Sequence, residues 1–218
     1  VDINPEAVEV AKMSLSLKLI DNYAPKDFGT VGILGSQILK GIGKNIRCGN
    51  SLVSSDIEAL YPSISENLHE LQATNAFDWQ TAFPEVFTKG GFDFVVGNPP
   101  YVEVKNYNVE LPYMALYIKE VYRSSKNGKI DLAVPFIERG VSLLNQHGRL
   151  GYIIQKRFFK TDYGKGIRKL LTSNELLNGV YDYAETDLFP GRITYVAIIV
   201  CDNNRENNHN IWYVNSSD

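Results

Sequence analysis

The sequence predicts an α/β protein, a three-layer sandwich built over a mostly parallel sheet. Short β-branched runs alternate with stretches of helical apolar spacing, as in sheets joined by crossover helices. The run Phe92-Asp93-Phe94-Val95-Val96 is almost continuously apolar, as expected of a strand buried on both faces. Asp2, Asn50 and Asn98 each stand where such a run ends. Ligands of open α/β sheets sit beyond the carboxyl ends of the strands, so these three polar residues mark one candidate site.

Val1-Asp2-Ile3 reads as a strand end, and Asn4-Pro5 opens a helix with Asn4 as N-cap and Pro5 at the first helical position. Val8, Ala11, Leu15 and Leu19 continue at helical spacing, predicting an amphipathic helix to about Ile20. Residues 21–45 read as a variable connection with one apolar patch at Val31–Leu39. Asn45–Cys48 is a short strand ending in Gly49-Asn50-Ser51-Leu52, and residues 54–91 form a second, partly helical insertion anchored by Phe77, Trp79, Phe83 and Phe87.

The Phe92–Val96 strand stops at Gly97-Asn98-Pro99-Pro100-Tyr101, since two prolines cannot continue a central strand. A polar-aromatic loop to about Lys129 is expected next. Val134, Ile137, Val141 and Leu144 mark a helix stopped near His147-Gly148. Leu150–Ile154 is a strand, Ile167, Leu170 and Leu171 mark a helix, and Leu176–Ala184 and Tyr195–Cys201 are strands. Ile211–Val214 adds a short edge.

At 218 residues the chain suits one sizeable domain. No apolar run approaches the roughly 20 residues of a membrane helix, and no secretory signal pattern is present, so no membrane partner and a cytoplasmic protein are expected. Cys48 and Cys201 lie far apart and read as reduced thiols, while His69, His147 and His209 are scattered singly, so no metal site is expected. The net charge of −3 is awkward for a nucleic-acid enzyme, but Lys156 to Lys169 holds six basic residues and one acid. On charge alone that stretch is a solvated helix face.

Asn98-Pro99-Pro100-Tyr101 suits methyl transfer to an exocyclic amine. Such a nitrogen is a poor nucleophile because its lone pair is delocalised into the ring. Two acceptors on its two N–H groups, the Asn98 amide oxygen and the Pro99 carbonyl, draw it towards tetrahedral geometry. The prolines fix the backbone and offer no competing donor, so the acceptors are preorganised. Tyr101 offers a flat face to a base, which must first leave its duplex. The amine attacks as a neutral group, so positioning carries the catalysis and no general base is needed. A bare turn after a strand is the other reading of these four residues, and the preceding apolar strand favours the functional one.

The order and spacing of these segments resemble the gamma-type DNA adenine-N6 methyltransferases of bacterial restriction–modification systems, type IIG enzymes above all. The segments are Asp2-Ile3-Asn4-Pro5, Gly49–Leu52, Asp93–Tyr101, Gly128–Leu132, Gly148–Ile154 and Leu188-Phe189-Pro190. The resemblance implies a Rossmann-like S-adenosylmethionine-dependent methyltransferase fold with S-adenosyl-L-methionine as cofactor. Asp2 would accept bonds from its ribose hydroxyls, Ile3 and Phe136 would pack on its adenine, Asn50 would meet the adenine edge, and Ser51 would be a further cofactor-binding position. Many relatives have Asp where Asn50 stands, and some have an aromatic in place of Ser51. Phe136 equally suits an ordinary core position. Tyr101 and Phe189 would sandwich the extruded base, and the loop setting of Phe189 suits that role.

The resemblance also implies double-stranded DNA as partner, with a restriction or specificity subunit or domain outside the chain. Residues 1–218 are then expected to be a partial catalytic domain. Its first strand, the Gly-rich cofactor loop and the target-recognition domain would be absent, and the isolated chain inactive. Other readings remain. Protein glutamine methyltransferases, or RNA enzymes, share the Asn-Pro-Pro-Tyr chemistry. Asp93 with Glu103-Val104-Lys105 mimics a metal-dependent nuclease pattern. A non-catalytic scaffold is a third reading, against which the intact Asn98–Tyr101 motif speaks.

Overall fold

A computed structural model describes residues 1–21, 41, 43–101, 107–126, 131–183, 195–203 and 210–216. Helix α1 spans Pro5–Asp21. Its start is capped as the sequence requires, with Asn4 Oδ1 accepting from the Glu6 and Ala7 amides at 2.8 and 3.3 Å. The apolar stripe is less well covered than its spacing suggests. Val8 is buried, but Leu15 is 46% exposed.

Among the described residues five strands form the sheet: β1 (Phe92–Gly97), β2 (Leu144–Gln155), β3 (Leu177–Asp182), β4 (Val196–Asp202) and β5 (Trp212–Asn215). They lie in the order β1-β2-β4-β3-β5. The α/β class stands, and the sheet is mixed. β1 pairs parallel with β2 and β3 with β5, while β4 runs back antiparallel between β2 and β3. β4 directly follows β3 among the strands and returns beside it, so its direction reverses. β2 starts at Leu144, six residues earlier than its apolar run alone predicts.

Two apolar clusters hold the domain. Helices α4 (Ala133–Ser142) and α5 (Lys165–Ser173) press Ile137, Ile167 and Leu171 onto Leu150, Ile154 and Ile199 of the sheet, all 2% exposed or less. The second cluster joins Leu52, Val53, Ile57 and Ile64 to α3 (Pro112–Val121) through Met114, Tyr117 and Ile118. Each fully buried aliphatic chain contributes about 1.5–3 kcal/mol relative to exposure. Phe136 packs against both clusters.

The insertion before β1 is anchored as expected, with the Phe83 and Phe87 rings both 5.8 Å from Phe92 and Trp79 5.9 Å from it. It also contains α2 (Leu68–Thr74), which supports α3 from below through a buried Glu70. Two expectations are corrected. The strand Phe92–Val96 is not buried on both faces: Phe94 and Val96 are 73% and 81% exposed. These two side chains share one face of β1, an outer strand of the described sheet, and no described element covers that face. The polar-aromatic loop is largely helical, with a turn at Tyr107–Glu110 and then α3. Pro112 starts α3 at a position where its missing N–H costs nothing.

Candidate active site

Gly97 of β1 pairs with Tyr152 of β2, so Asn98 leaves the sheet level with Ile153. A Cβ on Gly97 would lie 3.0 Å from the Tyr152 ring, so a larger residue here would need that ring to give way by a few tenths of an ångström. Pro99 is buried, whereas Asn98 and Pro100 are exposed at the strand end. The Tyr101 hydroxyl is 2.7 Å from Asn98 Oδ1 and 3.2 Å from the Ile153 carbonyl. Its single proton serves one acceptor at a time. Burial raises the Tyr101 phenol above its ordinary pKa, so at neutral pH it is a donor and not a base.

Short parallel bridges Asp2–Cys48 and Asn50–Ala76 hold the amino-terminal residues opposite this strand end. Between them opens a cavity of about 500 Å³ whose walls include Asp2, Ile3, Asn50, Ser51, Asn98, Pro99, Pro100 and Phe136. Sequence positions nearly a hundred residues apart thus meet in one space of ligand size. Tyr101 adjoins it through Asn98. Phe189 lies outside the described residues, as do Gly128, Leu188 and Pro190.

The polar groups on the wall are partly committed. Asp2 Oδ1 accepts from the Asn4 amide at 2.8 Å, and the exposed carboxylate has its second oxygen open. Asn50 is 7% exposed; its Oδ1 accepts from the Leu52 amide at 3.0 Å and its Nδ2 donates to Met114 Sδ at 3.3 Å. Asn50 therefore keeps one N–H donor for a ligand beside a second lone pair on Oδ1, whereas an Asp at this position would offer acceptors alone.

Several wall residues escape sequence reasoning. Met114 and Ile118 come from α3, and Arg139 from α4. Arg139 Nε donates to the Tyr122 hydroxyl at 2.8 Å, Nη2 reaches the Leu52 carbonyl at 3.3 Å, and the Tyr122 hydroxyl donates to that carbonyl at 2.5 Å. This brace fixes the turn that carries Asn50 and Ser51. Burial drives the Tyr122 phenol well above its ordinary pKa, so its donor proton is retained. Trp79 Nε1 holds the Ser51 carbonyl at 3.1 Å from the other side. No signal but a fold-level contact map would have found these partners.

The nuclease pattern falls mostly outside the described residues. Asp93 Oδ1 accepts from Asn145 Nδ2 at 2.6 Å, while Glu103 and Lys105 lie outside them. Among the described residues no group of three His, Cys, Asp or Glu side chains is placed to hold a metal ion.

The family model described as Eco57I restriction-modification methylase matches residues 1–189. The chain belongs to that family. It is 29% identical over 218 residues to the type II restriction enzyme and methyltransferase RM.Eco57I of Escherichia coli, covering 100% of this chain and 20% of that protein. It is 41% identical over 110 residues to the type II methyltransferase M.BstVI of Geobacillus stearothermophilus, covering 50% of this chain and 19% of the relative. The chain thus spans about a fifth of the length of these relatives. A solved type I restriction-modification methyltransferase subunit from Streptococcus thermophilus superposes with a TM-score of 0.49 at 20% identity, over 66% of this chain and 29% of that one. The fold assignment stands on the strand order and register, not on that likeness. No described helix is long and apolar enough to cross a membrane.

Proposed function

We propose that this chain is the catalytic part of a DNA adenine-N6 methyltransferase of a restriction–modification system. It transfers a methyl group from S-adenosylmethionine to the N6 amine of an adenine extruded from double-stranded DNA. The cytoplasm is its place of action, and a restriction or specificity subunit or domain is a further partner. The observation that carries this reading is Asn98 at the strand end, in the wall of a cavity of about 500 Å³. The names of the methylase relatives support it.

The wall chemistry fits S-adenosylmethionine. The open oxygen of Asp2 suits ribose hydroxyls, Ile3 and Phe136 supply apolar surface for the adenine, and the Asn50 N–H suits a ring-nitrogen acceptor at its edge beside Ser51. S-adenosylmethionine supplies an electrophilic methyl group on a sulfonium sulfur. Asn98 Oδ1 and the Pro99 carbonyl would take the two N–H groups of the target amine and release its lone pair for in-line attack. The N–C bond would form as the methyl–sulfur bond breaks, the sulfur would leave as a neutral thioether, and the surplus amine proton would pass to water. The Tyr101 hydroxyl turns to the Ile153 carbonyl, 3.2 Å away, when the amine takes Asn98. That exchange needs rotation about one C–O bond and no heavy-atom movement. Pro100 keeps the backbone rigid, and the Tyr101 ring supports the base.

Incubating the full-length protein with duplex DNA and methyl-labelled S-adenosylmethionine should place label on N6-methyladenine after nucleoside digestion. Label on cytosine, or transfer to a glutamine peptide in place of DNA, would overturn the reading. Phe189→Ala should weaken capture of the extruded base by about 1–3 kcal/mol, the scale of base–aromatic stacking. A fluorescent adenine analogue at the target position reports this. Unchanged emission and kinetics would remove Phe189 from the site.

A further inference from the structure

We propose that Arg157 and Lys160 form a phosphate-binding site for the DNA strand that carries the target base, an inference that rests on the DNA-methyltransferase reading. The sequence shows six basic residues from Lys156 to Lys169 without ranking them, and the structure sorts them. Lys156 Nζ lies 2.5 Å from Asp182 Oδ1, with both side chains about a fifth exposed. Arg168 Nη1 donates to the carbonyls of Phe158 and Thr161. Lys165 pairs with Asp162 at 2.8 Å. Arg157 and Lys160 are exposed, and among the described residues their side chains make no hydrogen bond or ion pair. Lys169 is exposed too, but it lies further along α5.

Their place decides what they face. Ile153, level with Asn98, sends its carbonyl towards the Tyr101 hydroxyl. Arg157 follows four residues later on the 3₁₀ turn Lys156–Phe159, and a chain of that length reaches at most about 14 Å. The turn therefore rises from the rim of the reaction centre. It is also held still, because Phe158 is 2% exposed in the core and Arg168 pins the carbonyls around it. A rigid root lowers the ordering cost of using Arg157 and Lys160.

In a chain of net charge −3, two uncompensated cations at this rim are a local exception. A base whose amine reaches Asn98 brings its own flanking phosphates to that rim. Phosphate contacts fix register without reading sequence, so this site positions the strand and leaves recognition to other surfaces.

Equilibrium binding of the full-length protein to a random-sequence duplex, measured over a range of salt, tests the proposal. Each of Arg157→Gln and Lys160→Gln should lower the magnitude of the log–log salt slope by about 0.9, and the pair by about 1.8. Arg157→Lys should keep the wild-type slope, since charge and not packing is at stake. Lys165→Gln, already paired, and Asn98→Ala should also keep it. An unchanged slope in the double variant overturns the phosphate site while DNA methylation stands. Failure of the wild-type protein to bind DNA overturns the methyltransferase reading and this site together.

Discussion

Asn98→Ala in the full-length protein is expected to cut methyl-transfer turnover by about 10²–10³-fold, the loss seen when one preorganised polar group aimed at a developing charge is removed. The expectation follows from the chemistry of the amine. Its lone pair becomes available only when both N–H groups are held by acceptors, and the Pro99 carbonyl alone can hold one. The change should fall on the chemical step. Asn98 sits at a strand end and is exposed, so its truncation leaves no buried partner stranded. The Tyr101 hydroxyl keeps the Ile153 carbonyl as acceptor at 3.2 Å. Single-turnover rates should therefore drop while the dissociation constant of S-adenosylmethionine changes little. A variant with near-normal single-turnover rates would sink the acceptor mechanism.

Much of this site was legible because its parts are local. Asn4 caps α1 through amides two and three residues on, so Asn4-Pro5 identifies itself. Asn98 follows an apolar strand and precedes two prolines, and no partner is needed to see that the sheet ends there. Gathering Asp2, Asn50 and Asn98 in one place rested on the general rule for strand ends, and the cavity walls include all three.

What escaped was set by distant partners. Whether β4 runs parallel or antiparallel depends on its neighbours, not on the β-branched run Val196–Cys201 itself. The exposure of Phe94 and Val96 depends on what packs on that face of β1, which composition cannot tell. Helix α3 was hidden because Tyr113 and Tyr117 read as loop aromatics, although Met114, Ile118 and Val121 keep helical spacing. The Tyr122–Arg139–Leu52 brace spans up to 87 residues of sequence, and nothing local in any of its three members announces it.

The second large effect is expected at Glu70, which sequence reasoning passed over as one more acid in an insertion. Its side chain is 0% exposed. Oε1 accepts from the Tyr113 and Met114 amides at 2.6 and 3.1 Å, and Oε2 accepts from Asn67 Nδ2 at 3.2 Å. Those two amides belong to the first turn of α3, where backbone donors lack intrahelical partners and the helix dipole favours negative charge. Glu70→Ala strands both donors away from water and leaves a void, at a cost of about 3 kcal/mol by the scale of charge-assisted bonds and buried orphan groups. Glu70→Gln should cost less, because its amide oxygen still accepts from both. The loss should appear first in α3, so hydrogen exchange at the Tyr113 and Met114 amides should quicken by about two orders of magnitude, the equivalent of about 3 kcal/mol in local opening. Because Met114 and Ile118 form part of the cavity wall, cofactor affinity should weaken in step with that opening. Unaltered exchange in Glu70→Ala would mean that another acceptor, not this carboxylate, holds the start of α3.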